Sequence, residues 1–233
     1  MSATPQRPSF STNTSTTYPG WLEFEFGITA DEHIIDSPLV LKLGFTTNTE
    51  FFVGISPLVR VSNGVSETGF GDVAIGARTR FRDGKDNSPS FAGQFSIKLP
   101  TADEDRGLGS GEVDFNFLVI LSQIFEDFGV DLNGGISLIG TPAAGHDAHF
   151  LGILTLSKTL APKVSGYAEL FLNHNFASND KTEDAATFIA SVGASYSVSP
   201  RLVLDAAINL NISNAPFDIQ VLWGVTHALT KIK

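Results

Sequence analysis

With 233 residues, a formal net charge of −10 and 42% apolar content, the chain is long enough for one large or two ordinary domains. It has no Cys, which excludes disulfide frameworks, thiolate metal sites and cysteine nucleophiles, and it lacks the clustered Lys and Arg that neutralise phosphates, which excludes nucleic acid as a partner. No stretch approaches the roughly 20 consecutive apolar residues of a spanning helix, whereas 22 Gly and 19 Phe beside one Met suit all-β structure.

Residues 1–17 are rich in Ser, Thr and Pro and contain no apolar signal-peptide core, so the beginning reads either as a cytoplasmic chain or as a mature form behind an added Met. Residues 1–19 are expected to be a lumen plug or a disordered periplasmic tail, and their composition favours the tail. From residue 20 onward the pattern changes to alternation with period two, cut by Gly, Pro and polar breaks into about twelve segments of roughly 9 to 12 residues, the length of a tilted bilayer-crossing strand.

In chain order, Leu22, Phe24, Phe26 and Ile28 alternate with Glu23, Glu25 and Gly27, and Leu39, Leu41 and Leu43 alternate with Val40 and Lys42. Phe51, Val53 and Ile55 alternate with Phe52 and Gly54 in a third segment that parity carries on to Arg60. Val73, Ile75, Ala77, Thr79 and Phe81 alternate with Asp72, Ala74, Gly76, Arg78 and Arg80. Phe95, Ile97 and Leu99 then face away from Gln94 and Lys98, and Phe115, Phe117 and Val119 away from Asp114 and Asn116. Val130, Leu132 and Ile136 oppose Asp131 and Asn133. The eighth segment is ambiguous, since both parities are apolar. The repeat of Ser157-Lys-Thr-Leu-Ala-Pro-Lys-Val164 as Ser195-Tyr-Ser-Val-Ser-Pro-Arg-Leu202, two strands later, puts Phe150, Leu154 and Leu156 on the apolar face. Leu170, Val192, Leu204 and Trp223 continue that face through the last four strands, against Glu169, Ser191, Asp205 and Asp218.

The apolar faces carry no Asp, Glu or Arg and only Lys158, near an end from which it can snorkel. A cation at bilayer mid-depth costs about 2–4 kcal/mol, so this emptiness is expected of a face against lipid, while the opposite face lines a lumen. Connections alternate between short and long, the habit of outer-membrane barrels. The expected fold is all-β: a 12-stranded antiparallel up-and-down transmembrane β-barrel over residues 20–229, with residues 230–233 as a C-terminal extension and both termini periplasmic.

The residues also resemble a known family. Gly69-Phe-Gly-Asp72-Val-Ala-Ile-Gly76, then Ile97-Lys-Leu-Pro-Thr101 and Gly107-Leu-Gly-Ser-Gly111, are similar to the bacterial outer-membrane transporter family labelled "MetA-pathway of phenol degradation", and Arg7-Pro-Ser-Phe10 and Trp223-Gly-Val-Thr-His227 resemble its two ends. The resemblance implies an outer-membrane location, a porin-like channel and passage of small, including aromatic, solutes. Its partners would be the lipid bilayer, lipopolysaccharide and the outer-membrane assembly machinery. The family's usual C-terminal aromatic is replaced here by Leu229 and an extension.

By parity the inward cations, Lys42, Arg60, Arg78, Arg80 and Lys98, fall on strands two to five. The inward charges of strands six to twelve, Asp114, Asp131, Glu169, Asp205 and Asp218, are all acidic. Closure in order would set a basic wall against an acidic wall, either as a transverse field across an open pore or as pairs filling the lumen. Twelve strands lie between the eight that side chains fill and the 16 that leave a channel, so strand number does not choose. Asp72 is expected at the outer rim, pairing with Arg60 or Lys98. No cofactor or metal is expected, and Asp103, Glu104 and Asp105 read as a solvated acidic loop more readily than as a Ca²⁺ site. A closed structural or adhesion barrel is one alternative. A lipid hydrolase using His174 and nearby Ser178 is another, against which stands the lack of a nucleophile motif.

Overall fold

The computed structural model describes residues 1–63, 65–85, 88–141, 145–176, 186–213 and 218–232. All regular structure among them is strand: β1 (Trp21–Ala30), β2 (Ile34–Asp36), β3 (Leu39–Gly44), β4 (Thr49–Ile55), β5 (Val59–Asn63), β6 (Val65–Gly69), β7 (Val73–Arg82), β8 (Ser90–Leu99), β9 (Asp114–Phe125), β10 (Phe128–Thr141), β11 (Gly145–Ala161), β12 (Val164–Asn175), β13 (Ala186–Ser199), β14 (Leu202–Asn211) and β15 (Asp218–Lys231). Strands β1, β3, β4 and β7 to β15 pair antiparallel in sequence order, and β15 returns to β1, which closes a barrel of 12 strands. Closure leaves no unpaired edge, the requirement for backbone in hydrocarbon.

Because side chains alternate, each strand gives the barrel one apolar outer face and one small or polar inner face. Phe117, Val192 and Trp223 point outward and are 50%, 58% and 49% exposed, while Glu23, Lys42, Asn133, Ser191 and Asp205 point inward and are buried. The register inferred from the repeat holds for β11: Phe150, Leu154 and Leu156 are exposed, and Ile153 and Thr155 buried. Aromatic residues gather at both ends of the outer face, as in the girdles of membrane barrels. At the short-turn end Phe45 meets Phe51, Phe81 meets Phe91, and Phe125 stacks on Phe128 at 5.4 Å. At the long-loop end Phe115 meets His146, and His174 meets Phe176.

Three expectations are corrected. The third barrel strand ends at Ile55, because Pro57 has no N–H to give to a ladder. The chain there leaves the barrel as the β5–β6 hairpin, which pairs through β5 with β2 over the long-loop mouth. Arg60 rides on that hairpin and is exposed, bonding Ser66 Oγ, so it does not line the lumen. The barrel also outruns residue 229: Thr230 and Lys231 pair with Leu22 and Trp21, so they belong to the wall and not to an extension. Finally, residues 1–17 are not a tail outside the barrel. They enter at the short-turn end, fold back on themselves inside it, and bury Ser11, Thr12, Thr14, Thr16 and Thr17. Phe217, read as the start of the last strand, lies outside the described residues.

Candidate functional site

The lumen is the concave, polar part of the molecule, and its charges are arranged differently on its two sides. On β1, β3, β4 and β7, cations and carboxylates alternate between neighbouring strands, within reach of each other across the ladder. Lys42 is registered opposite Glu23, with Glu25 on the same face, and its Nζ lies 2.5 Å from a carboxylate oxygen of each. Arg78 is registered opposite Glu50 and pairs with it. These five side chains are almost wholly buried, so each charge depends on its partner in place of water. The expected basic wall is therefore neutralised within itself: Lys42 and Arg78 are in the lumen, but neither presents an open charge to it. Arg80, nearer the short turns, pairs with Asp83 at 2.6 Å and donates to the carbonyls of Thr14 and Thr47.

On β10 to β14 the wall offers carboxylates and amides with no Lys or Arg of its own among the described residues, and the N-terminal segment supplies the partners. Glu169 accepts from the backbone N–H groups of Phe10 (2.9 Å) and Ser11 (3.0 Å), from Ser9 Oγ, and from Thr155 Oγ1 at 2.6 Å. Asn133 brackets Thr12, accepting its N–H at 2.8 Å and donating to its carbonyl at 2.9 Å. Phe10 packs on Phe171 with ring centroids 4.8 Å apart. Arg7 reaches Asp205, Nη2 to Oδ1 at 3.7 Å, and donates to the Trp223 carbonyl. Its guanidinium lies where Gly27 and Gly224, paired across β1 and β15, carry no side chain: a Cβ at Gly27 would sit 2.1 Å from Arg7 Nη2, and one at Gly224 2.6 Å from Nε.

The same segment also binds the charged side. Thr4 N donates to Glu23, Gln6 N to Glu25 and Thr17 N to Glu50, the Thr4 carbonyl accepts from Lys42, and Thr12 Oγ1 accepts from Arg78. It thus spans the lumen from wall to wall and separates three cavities. One of about 300 Å³ lies toward the long loops, lined by Phe10, Val40, Phe52, Ala74, Arg7 and Arg78 among others. Two of about 490 and 210 Å³ lie toward the short turns and share Asn13, Asp131 and Ser157.

The remaining expected site residues fall at the mouths or in the lower lumen. Asp72 accepts the Thr101 and Ala102 N–H groups at 2.9 Å and pairs with Lys98 at 3.3 Å, and Lys98 also pairs with Asp114 at 2.9 Å. Lys98 and Asp114, assigned to opposite walls, are thus one rim cluster with Asp72, because β8 and β9 are adjacent and register Lys98 against Asp114. Asp218, the first residue of β15, is exposed at the long-loop mouth and forms no part of a lumen wall. Asp131 faces the lower cavities and accepts from Ser122 Oγ at 2.5 Å. In the acidic loop, Asp103 Oδ1 caps the Arg106 N–H, and Arg106 pairs with Glu67. Of the hydrolase pair, His174 packs edge-on against Phe176 at 5.3 Å, and Ser178 lies outside the described residues.

Sequence reasoning left out Arg7, Thr12, Glu23, Glu25, Glu50 and Asn133 as site residues. Glu23 and Glu25 were already on the inner face of the first strand. Glu50 precedes the first residue assigned to the third segment, and continuing the alternation back from Phe52 puts it inward. Arg7 lies in the Arg7-Pro-Ser-Phe10 stretch that resembles one end of the family, with no role attached to it, and for Thr12 there was only a polar, low-complexity composition.

The family model described as "Putative MetA-pathway of phenol degradation" matches residues 5–229. No curated protein sequence matches. Among solved structures, the COG4313 outer membrane channel from Pseudomonas putida F1 is similar over 95% of this chain and 100% of its own, with a TM-score of 0.73 and 13% identity. The KdgM porin in complex with disordered oligogalacturonate is similar over 89% of this chain and 99% of its own (TM-score 0.65, 10% identity). The NanC porin covers 89% of this chain and 100% of its own (TM-score 0.63, 9% identity). At these identities the likeness is one of fold.

Proposed function

Since the chain belongs to the family described as "Putative MetA-pathway of phenol degradation", we propose that it is a bacterial outer-membrane channel for passive passage of small solutes, closed at rest by its own N-terminal segment. The observation that carries this reading is the segment itself. It crosses the lumen on hydrogen bonds, an ion pair and one aromatic contact, with no covalent tie beyond its link to β1, so it can leave and return. A polar interior is common to membrane barrels whether open or plugged. In this lumen the inward Glu, Lys, Arg and Asn side chains are buried against one another and against the segment. The apolar outer band and its aromatic girdles seat the barrel in a bilayer, with the short turns on the periplasmic side and the long loops among lipopolysaccharide headgroups.

Solute character follows from the cavities on the two sides of the segment. The upper one, with Phe10 and Phe52 beside Arg7 and Arg78, suits a flat aromatic molecule carrying an oxygen that can accept a hydrogen bond. The neighbouring fold of a porin that binds oligogalacturonate favours a second reading, passage of hydroxylated solutes, and the lower cavity rich in Ser supports it. The test is reconstitution in planar bilayers, for the full chain and for a chain lacking residues 2–17. Discrete conductance steps are expected in both, larger and longer-lived in the second. Silence in both overturns the channel reading and leaves a closed structural barrel. Liposome swelling with phenolics and with sugars then ranks the two solute classes.

A further inference from the structure

Two lumen carboxylates, Asp131 and Glu169, have no cation among the described residues. Glu23 and Glu25 share Lys42, Glu50 has Arg78, Asp205 has Arg7, and Asp72 and Asp114 share Lys98. Four donors from the segment and Thr155 surround Glu169. Asp131 is different: among the described residues its side chain receives one hydrogen bond, from Ser122 Oγ at 2.5 Å, and no Lys or Arg pairs with it. It stands where the cavities of about 490 and 210 Å³ meet, and the surfaces around it are hydroxyls and amides, including Ser90, Ser122, Ser157 and Asn13, with Ile124 and Val130 the chief apolar contributions to the larger one.

Such a chamber is a poor host for an aromatic ring, which would give up water for polar walls. It is also a poor host for an anion at its centre, where the lining carboxylate is Asp131. We propose that the short-turn cavity around Asp131 is a binding site for a small hydroxylated ammonium ion. The ammonium group donates to the Asp131 carboxylate, the kind of charge-assisted hydrogen bond that is stronger than a neutral one, and the hydroxyl exchanges bonds with the serines. Of the two cations that line these cavities, Lys85 lies on the β7–β8 turn and Arg7 is paired with Asp205, and neither forms an ion pair with Asp131 among the described residues. The inference rests on the channel reading only for its use, as the last station of a solute on the periplasmic side; binding itself needs no conductance.

The test is equilibrium binding to the full chain in detergent micelles, by titration calorimetry, with ethanolammonium chloride and with ethylene glycol as its uncharged counterpart. Saturable binding of ethanolammonium and none of ethylene glycol is expected. In Asp131→Asn ethanolammonium affinity should fall at least tenfold, and in Ser157→Phe, which fills the cavity and leaves the charge, it should fall similarly. Heat-modifiable migration on a detergent gel verifies that each variant is a folded barrel, and either variant alone suffices. Absence of saturable binding in the full chain, or equal affinity in the folded variants, overturns the proposal. Because the readout is binding, a silent bilayer recording would strike the channel reading and leave this one standing, and the reverse holds too.

Discussion

The two sides of the lumen hold charge by opposite means. On β1, β3, β4 and β7 each buried carboxylate meets a Lys or Arg from the adjacent strand, so the ion pairs lie within the wall and the N-terminal segment adds hydrogen bonds to them. On β10 to β14 the wall is unfinished: Glu169, Asn133 and Asp205 find their partners on residues 7–12. The difference teaches where stability and where gating reside. Breaking a pair on the first side should damage the barrel, and breaking a contact on the second should free the segment and leave the barrel intact.

The largest effect is expected from removing the segment altogether: deletion of residues 2–17 should raise mean conductance several-fold in bilayer recordings, with the barrel still heat-modifiable on a gel. Next comes Glu50→Gln. It strips the partner from buried Arg78 and should lower barrel stability by about 3–5 kcal/mol, the usual cost of an orphaned buried charge, read as a lower midpoint of urea unfolding in lipid vesicles. The companion change on the other side, Glu169→Gln, removes the charge that four donors share. It should loosen the segment by about 2–3 kcal/mol, since hydrogen bonds to charged groups contribute about 1.5–3 kcal/mol, with the unfolding midpoint nearly unchanged and a higher frequency of openings. Gly224→Val should act in the same direction by evicting the Arg7 guanidinium from its seat. At the small end, Arg60→Ala should change stability by no more than about 0.5 kcal/mol, the usual range for surface positions, and leave conductance as it was.

How much of this was legible in the sequence depends on which group does the binding. Strand number, the outward face and the register of β11 were readable because lipid imposes a period-two pattern that side chains alone must satisfy, and the repeat of Ser157–Val164 carried the one ambiguous strand. The inward direction of Lys42, Arg78, Glu169 and Asp205 was readable for the same reason. Parity says which face a residue takes but not which neighbour it meets, so Lys98 and Asp114 were placed on opposing walls although they are ladder partners. Arg60 was misplaced because parity was carried through Pro57, where the strand ends. The segment was least legible of all. Its principal ligating groups are backbone N–H and C=O of Thr4, Phe10, Ser11, Thr12 and Thr17, which every residue has, and they meet carboxylates and an amide on strands far away in the chain. Composition therefore reads as a disordered tail what is, in the fold, the inner lining of the barrel.

The central claim, that the N-terminal segment closes this lumen, is tested most directly by a reversible tether. The chain has no cysteine, so Ser11→Cys with Thr155→Cys introduces one disulfide between side chains of the segment and the wall whose hydroxyl oxygens are already 2.7 Å apart. The oxidised double variant should be silent in planar bilayers, and reduction by dithiothreitol in the same membrane should restore the openings of the unmodified chain. Undiminished conductance in the oxidised form would contradict the account.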